Sequence, residues 1–297
     1  MMGNVVIEVR ALRKLFDGLA AVDGLDLRVG AGSVCGFLGR NGAGKSTTIR
    51  LLLGFLRNDG GEVRLFGQNV LGPGGGVEIR SRIGYVSENK HLYPYMTVRQ
   101  IIRFTRPFFT GWRDDLERHY LELFQLPPDR KVSALSKGMR TGLMLLLAIS
   151  HNPELLILDE PTEGLDPVIT ELVLRELVGL PASEGTTIFF SSHQLSEVEQ
   201  IADHVAIIDR GRAVLAGAVD DMRLQYQRVR IVFPGDPPPI TWAEGAERVR
   251  SEGRTVSILA SRNVDVIVDQ ARALAATSVE RRPVTLKEIF LEHVGTN

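Results

Sequence analysis

A phosphate-binding loop constrains this chain more than any other feature of its sequence. Residues Gly39–Thr47 read GRNGAGKST and match the complete G-x-x-x-x-G-K-[ST] pattern. The apolar run Ser33–Leu38 before the loop suits a buried parallel strand, and Thr48–Leu53 after it has helix-forming character. We therefore expect a strand, a glycine loop and a helix in succession, and in that setting a glycine-rich turn with an incidental lysine is the weaker interpretation.

The predicted order arranges several backbone N–H groups around one anion. Glycines let successive N–H groups point into one concavity, and the helix N-terminus adds partial positive charge there. In such a loop Lys45 lies against the β- and γ-phosphates, and the Ser46 hydroxyl binds Mg²⁺. The predicted nucleotide-binding residues of the loop are Gly39, Asn41, Gly42, Ala43, Gly44, Lys45, Ser46 and Thr47. The chain is thus predicted to bind a nucleoside triphosphate together with Mg²⁺.

Composition excludes several classes of protein. A net charge of −1 over 297 residues gives no electrostatic case for nucleic acid. The single cysteine, Cys35, precludes an intrachain disulfide and is expected to be a small buried hydrophobe. Met1–Arg10 lacks the pattern of a targeting segment, and the most apolar run, Gly142–Ile149, is shorter than the roughly 20 residues that cross a bilayer.

The pattern along the chain predicts an α/β fold with a parallel sheet. Apolar and polar positions alternate over residues 1–30, which favours an N-terminal antiparallel β subdomain. The strands expected at Leu155–Leu158, Thr187–Ser191 and Val205–Ile208 are separated by helical sequence, as in a parallel sheet with covering helices. A helical insertion is expected at about residues 90–150.

The character of the sequence changes near residue 223. We expect an ATPase-type domain over residues 1–222 and a small α+β accessory domain over residues 223–297. Gln225–Arg230 is polar, and Pro234–Pro239 is a stiff connector that cannot continue a sheet. Two strand-like runs and two helical runs are expected beyond it: Val256–Ala260, Val264–Val268, Gln270–Ala276 and Leu286–His293.

A second acidic motif follows the apolar strand that begins at Leu155. Asp159 and Glu160 come at the end of this strand. A carboxylate at a strand tip beside the phosphate loop suits Mg²⁺ held through water, which is the role predicted for Asp159. Glu160 would orient or deprotonate the attacking water. The alternative, a strand leading into a solvated acidic turn, is disfavoured by the phosphate loop upstream.

With these motifs the chain resembles the ATP-binding cassette (ABC) ATPases over about residues 1–215. Five further motifs stand in the order of that family: an aromatic at Phe16, a Q-loop at Ile83–Glu88, a signature sequence at Leu135–Met139, a D-loop at Pro161–Pro167 and a switch histidine at Ser191–His193. The resemblance implies a P-loop NTPase core and ATP hydrolysis with ATP and Mg²⁺ as cofactors.

The resemblance also implies a role for each motif. Ser136 and Gly138 would face the nucleotide held by a second subunit, with Ser136 capping a helix. Asp166 of the D-loop joins the same nucleotide site. His193 would donate to the γ-phosphate, although a lone histidine after a strand is usually structural. Phe16 would stack on adenine, although an isolated phenylalanine is more often part of a core.

Several positions depart from the family pattern. Glu88 replaces the usual glutamine and is predicted to coordinate Mg²⁺; the alternative is a loop acid turned to solvent. Lys137 in the signature either supplies charge to the facing phosphate or points outward, and we favour the second. Together Glu88 and Lys137 resemble the drug- and peptide-exporting branch of the family. Glu163 stands in the D-loop in place of a small residue.

Aromatic residues are concentrated in and around the predicted insertion. Core packing is the default explanation, but a docking groove for a helix also needs aromatic anchors. In the family a short helix of the membrane subunit seats here, so Tyr93, Tyr95 and part of Phe104–Trp112 are expected to line such a groove. Nine of the chain's 19 aromatic residues fall in this region: Tyr85, Tyr93, Tyr95, Phe104, Phe108, Phe109, Trp112, Tyr120 and Phe124.

The sequence thus predicts the ATPase subunit of an exporter whose membrane-spanning permease is a separate chain. It would pair with a second ATPase subunit, identical or different, at the cytoplasmic face of the cell membrane. The alternative is a soluble cassette ATPase acting on nucleic acid or ribosomes, which the near-neutral charge and the single cassette disfavour. A metabolic kinase would have no use for the signature, the D-loop or the switch histidine.

Overall fold

The computed structural model describes residues 4–72, 75–89 and 92–294. The chain divides into two compact units, Met1–Ala216 and Gly217–Asn297. The domain boundary predicted after residue 222 falls inside a helix of the second unit, Val219–Gln225.

The first unit alternates strands and helices along most of its length. In chain order its elements are β1 (Val5–Phe16), β2 (Leu19–Gly30), β3 (Val34–Gly39), α1 (Lys45–Leu52), β4 (Gly60–Leu65), β5 (Gln68–Asn69), α2 (Gly75–Ser81), β6 (Ile83–Val86), α3 (Val98–Thr105), α4 (Asp114–Leu123), α5 (Lys137–Ile149), β7 (Leu155–Asp159), α6 (Pro167–Glu184), β8 (Thr187–Ser192), α7 (Leu195–Ile201), β9 (His204–Asp209) and β10 (Arg212–Ala218).

Two sheets carry this unit. The first has the order β2-β1-β4-β5 and is antiparallel, which confirms the N-terminal β subdomain. The second has the order β10-β9-β3-β8-β7-β6, and the strands from β9 to β6 in that order run parallel. Strands β3, β7 and β8 are buried along their whole length, since both faces of a parallel sheet are covered.

The parallel order determines where the functional loops lie. Carboxyl ends of neighbouring parallel strands meet at one edge of a sheet. Strand β3 ends at Gly39, β7 at Asp159 and β8 at Ser192, and these three strands are adjacent in the order β3-β8-β7. The phosphate loop, the paired acids and the switch histidine therefore leave the sheet at the same edge.

The predicted insertion is helical in the described part of residues 90–150. Besides α3, α4 and α5 it contains two short 3₁₀ turns. A capping box opens α3, because the Thr97 hydroxyl accepts from the Gln100 N–H and the Gln100 side chain accepts from the Thr97 N–H. Gly142 in α5 lies against the Phe124 ring so closely that a methyl group there would collide with it.

The second unit is a small α+β structure, as predicted. Its antiparallel sheet has the order β12-β13-β11-β14. A hydrophobic cluster on one face of the sheet includes Val229, Ile231 and Ile258 together with Ile267 of a helix. The elements of this unit are α8 (Val219–Gln225), β11 (Gln227–Val232), β12 (Ala246–Glu252), β13 (Thr255–Ala260), α9 (Val264–Ala273), β14 (Ser278–Pro283) and α10 (Leu286–Val294).

One secondary-structure assignment within this unit is wrong. Val264–Val268, expected to be a strand, is the first half of α9, because burial of Ile267, Val268 and Ala271 follows one side of a helix despite the β-branched residues. The polar segment Gln225–Arg230, for which no secondary structure was predicted, contributes most of β11, where Val229 is buried between exposed or half-buried neighbours. Packing against partners distant in sequence decided both cases.

Candidate active site

The phosphate loop has the predicted local structure. Strand β3 leads into it, and α1 begins at Lys45 directly after Gly44. Gly44 has φ of 105° in the left-handed region, and a side chain there would collide with the Ala21 carbonyl oxygen. The N-terminus of α1 is thereby free to offer its backbone N–H groups to an anion.

Lys45 is a buried cation in this loop. Its side chain is 6% exposed, and Nζ donates to the Gly39 carbonyl oxygen at 2.8 Å and to that of Arg40 at 3.3 Å. Nζ also lies 3.1 Å from Glu160 Oε1. The ammonium group is thus held between loop carbonyls and the acid that follows β7.

Asp159 accepts two hydroxyl hydrogen bonds at one oxygen. Ser191 Oγ donates to Oδ1 at 2.7 Å, and Ser46 Oγ donates to the same atom at 3.2 Å. Burial of this side chain raises the pKa of Asp159, and the two hydrogen bonds oppose that shift. A phosphate-loop hydroxyl and a strand-tip carboxylate therefore lie together.

Glu160 is held by contacts on three sides. Its φ of 47° lies in the left-handed region, and this conformation costs a non-glycine residue about 1–3 kcal/mol. The Glu160 N–H donates to Ser191 Oγ at 3.0 Å, and Oε2 lies 2.9 Å from His193 Nδ1. With Lys45 at Oε1, these contacts place the carboxylate between the phosphate loop and the switch histidine.

Lys45, Glu160 and His193 line one cavity of about 400 Å³, whereas the buried Asp159 lies outside this lining. The structure brings together nine of the predicted site residues there: Asn41, Gly42, Gly44, Lys45, Ser46, Thr47, Glu88, Glu160 and His193. Two lining residues, Ala21 and Glu163, had no predicted role in the site. Glu163 was recognisable as an unusual D-loop acid, whereas Ala21 left no signal because its position depends on the contact between β2 and the loop.

Glu88 lines this cavity although its side chain is exposed. Partial burial raises the pKa of Glu88, and the carboxylates of Asp159, Glu163 and Glu160 raise it further. Glu88 therefore belongs to the acidic side of the cavity.

Other predicted residues lie outside this lining in the described part of the chain. Gly39 and Ala43 are buried members of the loop, and a methyl group at Gly39 would meet Ile208 at 2.7 Å. Phe16, at the end of β1, is 45% exposed, and Lys14 Nζ lies 5.5 Å from the centroid of its ring. The assignment of Phe16 to adenine stays a prediction.

The signature and the D-loop acid act as helix caps in this chain. Ser136 is exposed and its Oγ accepts from the Met139 N–H at 3.1 Å, so it caps α5 as expected. Asp166 Oδ1 accepts from the N–H groups of Val168 and Ile169, each at 3.1 Å, and caps α6. Gly138 contacts Ile169, with an added methyl group reaching 3.2 Å from it. Contact of these residues with a nucleotide stays a prediction.

Lys137 lies over the D-loop of its own chain. Its ammonium occupies the space above Gly164, where a methyl group would collide with it. It shares a second cavity of about 330 Å³ with Glu88, Asn89, Arg140 and Glu163. The side chain is exposed, as the favoured outward orientation requires, but its ammonium lies against Gly164 of the D-loop.

A parallel sheet with a glycine loop, a buried lysine and a strand-tip carboxylate defines a P-loop nucleoside triphosphatase. Residues 22–163 match the ABC transporter family. The chain is 39% identical to the bacitracin transport ATP-binding protein BcrA of Bacillus licheniformis, over 70% of this chain and 68% of that protein. It is 32% identical to the Nod factor export ATP-binding protein I of Ralstonia nicotianae, over 98% of this chain and 94% of that protein.

A solved ATP-binding subunit of an ABC transporter superposes with a TM-score of 0.67 at 28% identity, over 74% of this chain and 92% of that one. The chain therefore belongs to the ABC transporter family, as an ATP-hydrolysing subunit of exporter type. The alternative of a soluble cassette acting on nucleic acid or ribosomes is not favoured by these relatives.

Proposed function

We propose that this ATPase works in a pair of cassettes at the cytoplasmic face of the cell membrane and drives a separate permease chain. The observation that carries the proposal is an exposed row of aromatic rings on the helical insertion. We call Tyr93, Tyr95, Phe104 and Phe108 the aromatic patch.

The aromatic patch forms a continuous series of contacts. The ring centroids of Tyr93 and Tyr95 are 5.8 Å apart, those of Tyr93 and Phe104 5.7 Å, and those of Phe104 and Phe108 5.6 Å. All four side chains are at least 46% exposed, beside a cavity of about 430 Å³. Such a surface suits the apolar face of a short helix, which the permease would supply.

Replacement of both Tyr93 and Tyr95 by alanine is expected to abolish stable association with the permease while basal ATP hydrolysis stays near the wild-type rate. Aromatic anchors supply most of the affinity of such grooves, and these two residues lie outside the nucleotide cavity. Co-purification with the membrane partner and ATPase assays on the free subunit measure the two effects.

The matched control is Phe55→Ala, an aromatic residue that is 58% exposed and lies outside the aromatic patch. It should leave association unchanged. Unchanged association of the tyrosine variant would remove the patch from the docking surface, and loss of ATP binding in that variant would indicate misfolding.

The residues present suit Mg²⁺ as a cofactor. Among the described residues no three acidic, histidine or cysteine side chains converge on one metal position, so the ion would depend on nucleotide phosphates as well. Ser46 would bind it directly, Asp159 through water, and Glu88 would supply a further carboxylate oxygen. When bound, Mg²⁺ would neutralise charge on the phosphates.

The other groups of the cavity divide the chemistry between them. Lys45 would bind the β- and γ-phosphates, Glu160 would orient or deprotonate the attacking water, and His193 would donate to the γ-phosphate. Support comes from their convergence, since Glu160 contacts both Lys45 and His193.

Pairing of two subunits would complete each site. Ser136 is exposed at the N-terminus of α5, where its backbone and hydroxyl groups suit an anion presented by another chain. Gly138 would allow close approach, and Asp166 would contribute from the D-loop. Closure of such a pair on ATP, and its opening after hydrolysis, would move the permease.

Replacement of Glu88 by glutamine is expected to raise the Mg²⁺ concentration that gives half-maximal ATPase activity by about tenfold. The change removes one negative charge from the acidic side of the cavity while keeping the shape of the side chain. Titration of ATPase rate against Mg²⁺ measures it, with Glu122→Gln on α4 as the control. Superimposable titrations of wild type and Glu88→Gln would exclude Glu88 from the metal site.

The membrane location depends on the partner chain. Within the described residues, every helix is too short or too polar to cross a bilayer.

Two relatives are named for bacitracin transport and Nod factor export, so we propose an exported cargo recognised by the permease. Recovery of the ATPase with a multi-span protein from detergent-solubilised membranes tests this proposal, and recovery only from the soluble fraction would contradict it.

A further inference from the structure

We propose that Glu197 is a positioning residue for ATP hydrolysis, joining the D-loop to the switch-histidine segment. Its carboxylate is 4% exposed. Oε1 accepts from Thr162 Oγ1 at 2.5 Å, and Oε2 accepts from Ser192 Oγ at 2.7 Å. Among the described residues no basic nitrogen lies within 4.0 Å of it, so two hydroxyl groups solvate a buried acid.

Each hydroxyl belongs to a segment that carries a reactive group. Thr162 stands two residues after Glu160, in the loop that follows β7. Ser192 directly precedes His193, and its Oγ also accepts from the Gln194 N–H at 2.9 Å. The Ser192 hydroxyl therefore ties the backbone on both sides of His193, and Glu197 orients that hydroxyl.

Glu197 itself lies on a firmly packed element. Its neighbour Val198 in α7 touches Gly36 of β3, where a methyl group would reach 2.7 Å from Val198 Cγ1. Strand β3 leads into the phosphate loop. Helix α7 thus packs on the strand that leads to Lys45. Through Glu197 it also holds Thr162 of the D-loop and Ser192 beside the switch histidine.

By holding both segments, Glu197 would fix the distance between the Glu160 carboxylate and the His193 ring. Glu160 Oε2 and His193 Nδ1 are 2.9 Å apart, and each is attached to a segment held by Glu197. A shift of about 1 Å in a reacting group can lower a rate about 100-fold. Glu197 would act on turnover through Glu160 and His193 without touching the nucleotide.

The test is Glu197→Gln, which keeps the shape of the side chain but replaces one of the two accepting oxygens with an NH₂ group. One of the two hydroxyl groups then loses its acceptor. We expect kcat for ATP hydrolysis to fall about 10- to 100-fold, with KM and the affinity for ATP within about twofold of wild type. The matched control is Glu199→Gln in the same helix, which should leave kcat unchanged. A loss in Glu199→Gln equal to that in Glu197→Gln would overturn the proposal.

Hydroxyl variants keep the proposal testable if Glu197→Gln folds poorly. Thr162→Val and Ser192→Ala should lower kcat, whereas Thr162→Ser should restore most of it because the hydroxyl returns. In the double variant Ser192→Ala/Glu197→Gln, kcat should fall no further than in the worse single variant, because both changes remove the same hydrogen bond. Additive losses, or losses that follow the fall in thermal unfolding midpoint, would show a merely structural role.

Discussion

Glu160→Gln is expected to lower ATP hydrolysis about 10²- to 10³-fold while ATP remains bound. Glutamine fills the same space but carries no negative charge and cannot take a proton from water. The carboxylate it replaces is buried and held between Lys45 and His193, on a residue whose backbone lies in the unfavourable left-handed region. In the proposed site the loop and Lys45 would bind the phosphates, and the substitution leaves both in place.

Phosphate release and equilibrium binding of a fluorescent ATP analogue measure the two properties separately. Glu171→Gln, at an exposed acid of α6, is the matched control and should hydrolyse ATP at the wild-type rate. A loss of less than about tenfold would show that Glu160 is not the group that activates water. A parallel loss of ATP affinity would place it in binding instead.

Lys45→Ala is expected to weaken ATP binding about 10- to 100-fold and to remove hydrolysis with it. A hydrogen bond to a charged group contributes about 1.5–3 kcal/mol, and each 1.4 kcal/mol is a tenfold change in affinity. Lys45 is 6% exposed, so water screens its charge little. Its loss also leaves Glu160 without the cation at Oε1.

Isothermal titration with ATP measures the affinity, and a thermal unfolding scan checks that the variant is folded. Arg50→Ala removes an exposed cation from the last turn of the same helix and should bind ATP as wild type does. Equal affinities for ATP in Lys45→Ala and the wild-type protein would remove this lysine from the phosphate site. Together with Glu160→Gln, this variant separates nucleotide binding from hydrolysis.

The sequence predicted the parallel core and the main functional segments because their signals are local. A phosphate loop needs glycines, a lysine and a hydroxyl within Gly39–Thr47, and that segment follows an apolar strand. The acids at Asp159 and Glu160 are signalled by the strand they end. Ser136 precedes a helical run, so the sequence also predicted its role as a helix cap.

Other features depended on contacts between residues far apart in the chain. Ser191 donates to Asp159 and accepts from the Glu160 backbone, yet nothing around it in the sequence indicates either bond. The buried carboxylate of Glu197 has the same character. Lys137 turns toward Gly164, and β11 pairs as a strand despite its polar residues, because the final neighbours exist only in the folded chain.

The sequence by itself determined which chemical groups this ATPase possesses and the short segments that present them, since glycine loops, caps and apolar strands form under local steric and hydrogen-bonding rules. Tertiary structure alone decided how those groups meet. Parallel pairing of β3, β8 and β7 brings three loops to one edge, and burial then selects the partners of Lys45, Glu160 and Glu197. Tertiary hydrogen bonds join residues far apart in the chain, as the side-chain bond from Ser46 to Asp159 across 113 positions shows.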